Sequence, residues 1–360
     1  MTVNAMKKIP LRAISKNGPQ VGAIGLGTMA ILAIGAWYGK TDENEAFKAL
    51  TYALDRGINF WDTADIYGTS EETIGRWFKQ TGRRSEVFLA TKFGAFDPAG
   101  PPQSGPTSKP SHIIKSVKFS LEKLQTDYID LYYQHRVDAK VPIEVVMETL
   151  WPFVEQGKIK YLGLSECSID TLRRAKAVKG VGEKLIAIQM EYSPFTLDIE
   201  QNGLAAAAEE LGVSVIAYSP LARGLVTGRF RSRDDFEPND LRLTLPRWSE
   251  ENFPRNLAIV DKFKEIADQH GATTSQIALA WILAEHPTWI PIPGSRSIER
   301  VEENGHSAEL ILPLEAIRTI RTLVNNAEVA GTRNRTVAWI AAGVEGNCIK
   351  LEEWKGEENM

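Results

Sequence analysis

The sequence predicts a single α/β domain of the (β/α)8 barrel class, and three observations carry that expectation. A unit recurs along the chain: an amphipathic helix, a glycine stop, then a short β-rich run. The β-rich runs are continuously apolar rather than alternating, as expected of strands covered on both faces. About eight such units follow one another without a Pro/Ser-rich linker, the number that closes a barrel.

The elements can be taken in order. Residues 8–14 and 20–26 read as short strands around Asn17-Gly18-Pro19, a hairpin signal. The first barrel strand is expected at 23–27. A helix over 43–56 then stops at Gly57 before INFWD, and one over 70–81 stops at Gly82 before EVFLATK. Helix 111–124 leads to YIDLYYQH, 142–156 stops at Gly157 before KIKYLGLS, and 168–178 leads to LIAIQME. Helix 200–211 stops at Gly212 before VSVIAYS, and TWIPIPG follows helices over 254–270 and 273–285. The residue past a helix end often adopts the left-handed conformation, which glycine takes cheaply. Two stretches interrupt the rhythm: the Pro/Gly-rich 94–110, and 222–253, rich in Arg, Asp and aromatics. Both leave from strand C-terminal ends, the face that carries chemistry in such barrels, so substrate and cofactor contacts are expected there. The domain is expected to span 1–330. Residues 331–360 show no clear period and are given no role.

Bulk properties narrow the function. Of 360 residues, 43% are hydrophobic and 24% charged, the balance of an ordinary soluble protein. A net charge of −4 argues against nucleic-acid or anionic-membrane partners. The cysteines, Cys167 and Cys348, are too few for a disulfide framework and fit a reducing, cytoplasmic setting. The start, MTVNAMKKIP, has no apolar core of signal-peptide length, and the apolar run 29–34 is too short to cross a membrane. The histidines show neither H-x-H nor H-E-x-x-H spacing, so no metal site is expected, and a metal-dependent hydrolase on this barrel would lack clustered ligands.

The chain is organised around 59–68, NFWDTADIYG. Asp62 sits where the second barrel strand emerges, and Tyr67 follows in a loop that ends in glycine. Lys92 closes the third strand and His135 the fourth. Each alone has a plain structural reading: a helix cap, a half-buried ring, a snorkelling amine, a satisfied core imidazole. Together at neighbouring strand ends they form a proton-delivery device. A free tyrosine has a pKa near 10. A Lys92 ammonium is expected to lower it, with Asp62 keeping Lys92 charged, while His135 hydrogen-bonds the substrate oxygen.

Here the chain resembles the aldo-keto reductases, from about residue 8 to 330. The resemblance rests on DTADIYG (62–68), ATKFG (90–94), DLYYQHR (130–136), GLSE (163–166), QMEYSPF (189–195), AYSPLARGLVTG (217–228) and IPGSRSIERVEEN (292–304). It is closest to the microbial and plant branch that includes pyridoxal reductases and inositol-utilisation-type reductases. The resemblance implies Tyr67 as general acid, Lys92 and Asp62 tuning it, His135 orienting a small-molecule carbonyl, and hydride from NADPH. It also implies a cofactor wall of Gly27, Thr28, Met29, Ser165, Gln189 and the stacking ring of Tyr218. Ser219, Leu221, Gly224 and Gly228 match the loop over the pyrophosphate. Ser295, Arg296 and Arg300 match the 2′-phosphate site, where Arg near a helix start suits a dianion. Glu303 and Asn304 match the adenine contacts.

Three departures from the wider superfamily stand out. Glu166 follows Ser165 where many members have Asn. Gly294 stands where the aldose-reductase branch has Lys. The C-terminal tail does not resemble that branch's substrate loop. Trp37, Tyr38, Phe96 and Trp248 are candidate pocket walls. Among rival readings, a Rossmann fold has only the loose G-x-G-x-x-A of 25–30, without a following strand and acidic residue. A non-catalytic NADP(H)-binding subunit of the potassium-channel β type is the serious alternative, and the intact quartet favours an enzyme over it. Neither the carbonyl substrate nor the oligomeric state is legible.

Overall fold

The computed structural model describes residues 6–29, 42–97, 105–333 and 346–359. Trp37 and Tyr38 lie outside the described residues. A hairpin of β1 (Leu11–Ala13) and β2 (Gln20–Gly22) comes first. Ser15 and Asn17 take positive φ in its turn, and the Ile14 N–H closes it on the Pro19 carbonyl at 2.9 Å.

The barrel strands are β3 (Leu26–Gly27), β4 (Phe60–Asp62), β5 (Phe88–Phe93), β6 (Ile129–Gln134), β7 (Ile159–Ser165), β8 (Leu185–Glu191), β9 (Ser214–Tyr218) and β10 (Ile290–Pro291). They pair in chain order as one parallel 8-stranded sheet. A parallel bridge between Gly27 and Gly294 closes it, with the Gly25 and Gly27 N–H groups donating to the Pro291 and Pro293 carbonyls at 3.0 and 3.2 Å. The structure is therefore the (β/α)8 barrel that the repeat predicts. Outside it lie α1 (Glu43–Asp55), α2 (Ser70–Thr81), α3 (Pro110–Lys123), α4 (Ile143–Glu155), α5 (Ile169–Ala177), α6 (Asp198–Gln201), α7 (Leu204–Glu210), α8 (Asn252–Gln269), α9 (Thr274–Glu285), α10 (Ile298–His306) and α11 (Leu314–Asn325).

The predicted stops at Gly57, Gly82, Gly157 and Gly212 all have positive φ, at 88, 68, 71 and 67°. One expectation needs correcting. The helix expected over 200–211 is two helices, because Gly203 turns left-handed (φ 84°) between them and Asn202 caps the second through the Leu204 N–H at 3.0 Å.

Strand residues alternate between two cores. Phe60, Phe88, Ala90, Leu131, Tyr133, Ala187 and Ile216 fill the barrel. Their neighbours Trp61, Leu89, Tyr132, Ile188 and Val215 pack outward in the core that also takes in the helices. Room inside is short: a Cβ on Gly163 would lie 2.3 Å from the Tyr133 ring, so that strand position has to be bare. The hairpin seals the N-terminal end. Ile14 and Val21 join the inner core, Ser15 N–H donates to Ser214 Oγ at 2.6 Å, and Arg12 caps carbonyls of Leu283, His286 and Trp289 at 2.6, 2.8 and 3.0 Å.

Candidate active site

The same period of two places the chemistry. Continuing inward positions past Phe60, Ala90 and Tyr133 arrive at Asp62, Lys92 and His135, and past Gly163 and Ala187 at Ser165 and Gln189. Five strands thus lift polar side chains to one end of an apolar tube. The Lys92 ammonium, fully buried, donates to Asp62 Oδ1 at 2.5 Å and to the Thr63 carbonyl at 2.7 Å. Gln189 Nε2 donates to Asp62 Oδ2 at 2.7 Å. Both carboxylate oxygens are therefore engaged from fixed strands. Lys92 Nζ stands 4.9 Å from the centre of the Tyr67 ring, and Tyr67 meets the His135 ring edge-on at 5.8 Å. The loop carrying Tyr67 is tied down by Thr28, whose hydroxyl donates to the Asp62 carbonyl at 2.9 Å and meets Ser70 Oγ at 3.0 Å.

Electrostatics assigns the protonation states. Burial works against a charged Lys92, yet Asp62 and Tyr67 outweigh it and leave its pKa above the ordinary value. Burial, helped by Arg136 and Lys92, drives His135 well below the usual imidazole value, so it is neutral. Its Nδ1 is buried without a hydrogen-bond partner among the described residues. Tyr67 departs from expectation. Lys92 does pull its pKa down, but burial of the phenol is larger and the net shift is upward. The phenol thus holds its proton through neutral pH.

From this floor a cleft of about 430 Å³ runs outward, within the usual range for small-molecule sites. Asp62, Tyr67 and His135 line its inner end, and Arg296, Arg300, Glu303 and Asn304 line its outer end. At that end burial lowers the Arg300 pKa, and Arg229, Arg296 and Arg242 push it further down. Arg229 also crosses from the 222–253 stretch to pair with Glu303 at 3.0 Å.

A family model described as the Aldo/keto reductase family matches residues 23–325. The chain belongs to the aldo-keto reductases. It is 47% identical over 331 residues to aldo-keto reductase str7 of Strobilurus tenacellus, covering 91% of this chain and 95% of that protein. It is 44% identical over 332 residues to aldo-keto reductase yakc [NADP(+)] of Schizosaccharomyces pombe, covering 90% and 94%. With probable aldo-keto reductase 1 of Glycine max it shares 36% over 322 residues, covering 89% and 90%.

For this reductase most residues singled out in the sequence converge on the cleft. Gly27, Thr28, Met29, Ser165, Gln189, Tyr218, Ser219, Leu221, Gly224, Arg296, Arg300, Glu303 and Asn304 line it with the inner trio, and Lys92 lies beneath. Gly228 and Ser295 are not on its wall. Gly228 caps a 3₁₀ turn at φ 67°, and buried Ser295 accepts a 2.8 Å hydrogen bond from Asn304 Nδ2. Phe96 lines the cleft as expected. Trp248 does not: it is 1% exposed and packs among Phe230, Phe236 and Phe253, forming the core of the 222–253 stretch. Sequence reasoning noted that this stretch is rich in arginine but missed Arg223, Arg229 and Arg242 as cleft residues. It also missed Arg136, half-buried beside His135, whose Nη1 lies 3.4 Å from Ser165 Oγ.

The tail is attached to the barrel. The Gly346 carbonyl accepts from the Ser168 N–H at 3.0 Å and Thr171 Oγ1 at 2.7 Å, and Glu357 accepts from the Ser111 N–H at 3.0 Å. Among the described residues there is no cluster of metal-ligating side chains, and no helix is long and apolar enough to cross a membrane.

Proposed function

We propose that this reductase converts aldehyde or ketone carbonyls to alcohols with NADPH, Tyr67 being the general acid. The observation that carries the reading is that one cleft has the Lys92-backed Tyr67 at its floor and clustered guanidinium groups at its mouth. The name of the S. pombe relative carries NADP(+), which supports the same cofactor. The residues fit that group in chemistry: Ser165 and Gln189 offer polar contacts beside the floor, Tyr218 an aromatic face, and Arg296 and Arg300 a site for a phosphate dianion. When bound, NADPH supplies the hydride.

The chain's own residues supply the proton and the orientation. The neutral His135 carries one ring N–H and can donate it to the carbonyl oxygen. The Tyr67 hydroxyl gives its proton to that oxygen as negative charge develops there, and the phenolate left behind is stabilised by Lys92. Asp62 keeps Lys92 charged and in place. The reading includes the branch that holds pyridoxal reductases, and with its cysteines reduced as free thiols, a cytosolic setting.

The test is NADPH consumption over a panel of benzaldehydes, pyridoxal-like aldehydes and ketones. In Tyr67→Phe, kcat should fall by roughly 10²-fold or more while the NADPH Kd is retained. Near-normal turnover in that variant removes Tyr67 from its role. A wild type that binds NADPH but reduces nothing in the panel favours the channel-subunit reading.

A further inference from the structure

Glu166 replaces the Asn of many aldo-keto reductases, and its surroundings explain what the carboxylate is for. It follows β7 at φ 51°, a left-handed conformation that is costly for a non-glycine residue. Its side chain is 1% exposed. Arg333 grips it with a two-pronged contact, Nη2 to Oε2 at 2.6 Å and Nη1 to Oε1 at 3.0 Å. The Tyr218 hydroxyl donates to Oε1 at 2.9 Å, and the Glu191 N–H reaches the same oxygen at 3.3 Å. Arg333 Nη1 also stands 3.3 Å from Glu191 Oε2 and from the Tyr218 hydroxyl. Burial acts to raise the Glu166 pKa, but Arg333, with help from Arg136 and the Tyr218 hydroxyl, more than offsets it, and the carboxyl stays below its ordinary value.

The backbone leading to Arg333 is itself fixed. Buried Asn256 donates to the Ala330 carbonyl and accepts from the Ala330 N–H, both at 2.9 Å. Arg247, from the 222–253 stretch, donates to the Gly331 carbonyl at 3.4 Å and lies 3.9 Å from Glu191. Arg333 does not line the cleft, whereas Tyr218 does. The ring of Tyr218 turns on two side-chain torsions, and a hydroxyl held at a fixed point removes that freedom. Fixing a binding surface in advance lowers the entropy lost on binding.

We propose that Arg333, in the C-terminal tail, is a positioning residue for the cofactor-facing ring of Tyr218 and acts through Glu166. The inference rests on the reading that the cleft takes NADPH. It makes the tail part of the cofactor platform instead of an appendage to the barrel.

The test separates this role from a merely structural ion pair by using two ligands. NADPH reaches the Tyr218 end of the cleft, while adenosine 2′,5′-bisphosphate carries only the half that the arginines at the mouth would hold. Arg333→Gln should weaken NADPH about tenfold, the scale of one charge-assisted hydrogen bond. It should leave the bisphosphate Kd unchanged. In a Tyr218→Phe background, where no hydroxyl remains to be held, adding Arg333→Gln should weaken NADPH no further. Arg333→Lys keeps a cation beside the buried carboxylates, so it serves if the glutamine variant does not fold, and its loss should be intermediate. Lys350→Ala breaks a tail ion pair with Asp170, at 3.0 Å and away from the cleft wall, and should change neither affinity. Equal loss for both ligands, no loss for either, or an undiminished Arg333 effect in the Tyr218→Phe background overturns the proposal. A wild type that fails to bind NADPH overturns the cofactor reading itself, and does so before any variant is made.

Discussion

The floor and the mouth of the cleft hold their charges in opposite ways. At the floor, Lys92 is fully buried, and its carboxylate partner Asp62 is gripped from two strands. At the mouth, the guanidinium groups of Arg229, Arg242, Arg296 and Arg300 come from loops and a helix start, and burial together with Arg229, Arg296 and Arg242 lowers the pKa of Arg300. The floor is neutralised from within and rigid. At the mouth Glu303 meets Arg229 and Asp240 meets Arg242, two carboxylates against four guanidinium groups, and on the proposed reading an anion offsets that balance. A proton donor needs a fixed position, since a small displacement is costly to catalysis, whereas a phosphate site needs charge and tolerates adjustment.

That contrast predicts effects of different kinds. The largest belongs to the floor. Lys92→Met leaves Asp62 buried without its cation, a change that costs about 3–5 kcal/mol where a buried pair loses one partner. On the proposed mechanism it also removes the charge that would stabilise the Tyr67 phenolate. Urea unfolding and kcat should therefore fall together, with kcat down by roughly 10²-fold or more. A Lys92→Met protein as stable as wild type would mean that the floor is less dry than its burial implies.

An effect of middle size belongs to the mouth. Arg300→Ala should weaken NADPH about tenfold, since a hydrogen bond to a charged group is worth about 1.5–3 kcal/mol. NADH, which lacks the 2′-phosphate, should be nearly unaffected, and so should the unfolding midpoint. Glu299, between the two arginines in sequence, is exposed and off the cleft wall, so it does not cancel them. Equal losses for the two cofactors, read by tryptophan quenching, would assign Arg300 to the fold or the adenine. A wild type that prefers NADH would remove the phosphate assignment.

The smallest effect belongs to a cluster remote from both. Glu200 is held at about 2, burial being outweighed by hydrogen bonds from His286, Arg321 and Tyr192. A carboxyl lowered on folding stabilises above its unfolded value, and that contribution fades as pH falls from about 4.5 towards 2. Glu200→Gln should therefore lower Tm at pH 7 by about 2 °C, the scale of ~1 kcal/mol after solvent screening. The difference from wild type should vanish near pH 2. A gap that persists in acid would mean that Glu200 acts through packing rather than charge.

How far the sequence could be read depends on the range of the interaction. The stops at Gly57, Gly82, Gly157 and Gly212 and the strand-end positions of Asp62, Lys92 and His135 follow from local periodicity, so they were legible. The break at Gly203 was masked because the residues on both sides suit a helix. Trp248 was misplaced because an aromatic beside a site and one in a core look alike without their neighbours. The direction of the Tyr67 shift depends on how much surface the fold covers, which no spacing records. The pair Glu166–Arg333 joins residues far apart in sequence, and its one signal was the odd carboxylate after Ser165.

The sealed N-terminal end has a consequence for traffic. With Ile14 and Val21 plugging the tube and Arg12 bracing the plug, the described barrel opens towards Tyr67 from one side. Among the described residues, the cleft that reaches the floor is also the one those arginines line, so on the proposed reading substrate and cofactor share it. Whichever molecule sits deeper has to enter first and leave last, so arrival is queued. An inert polyanion parked at the doorway should then slow exit as well as entry, and lower the turnover of enzyme already loaded as much as its affinity.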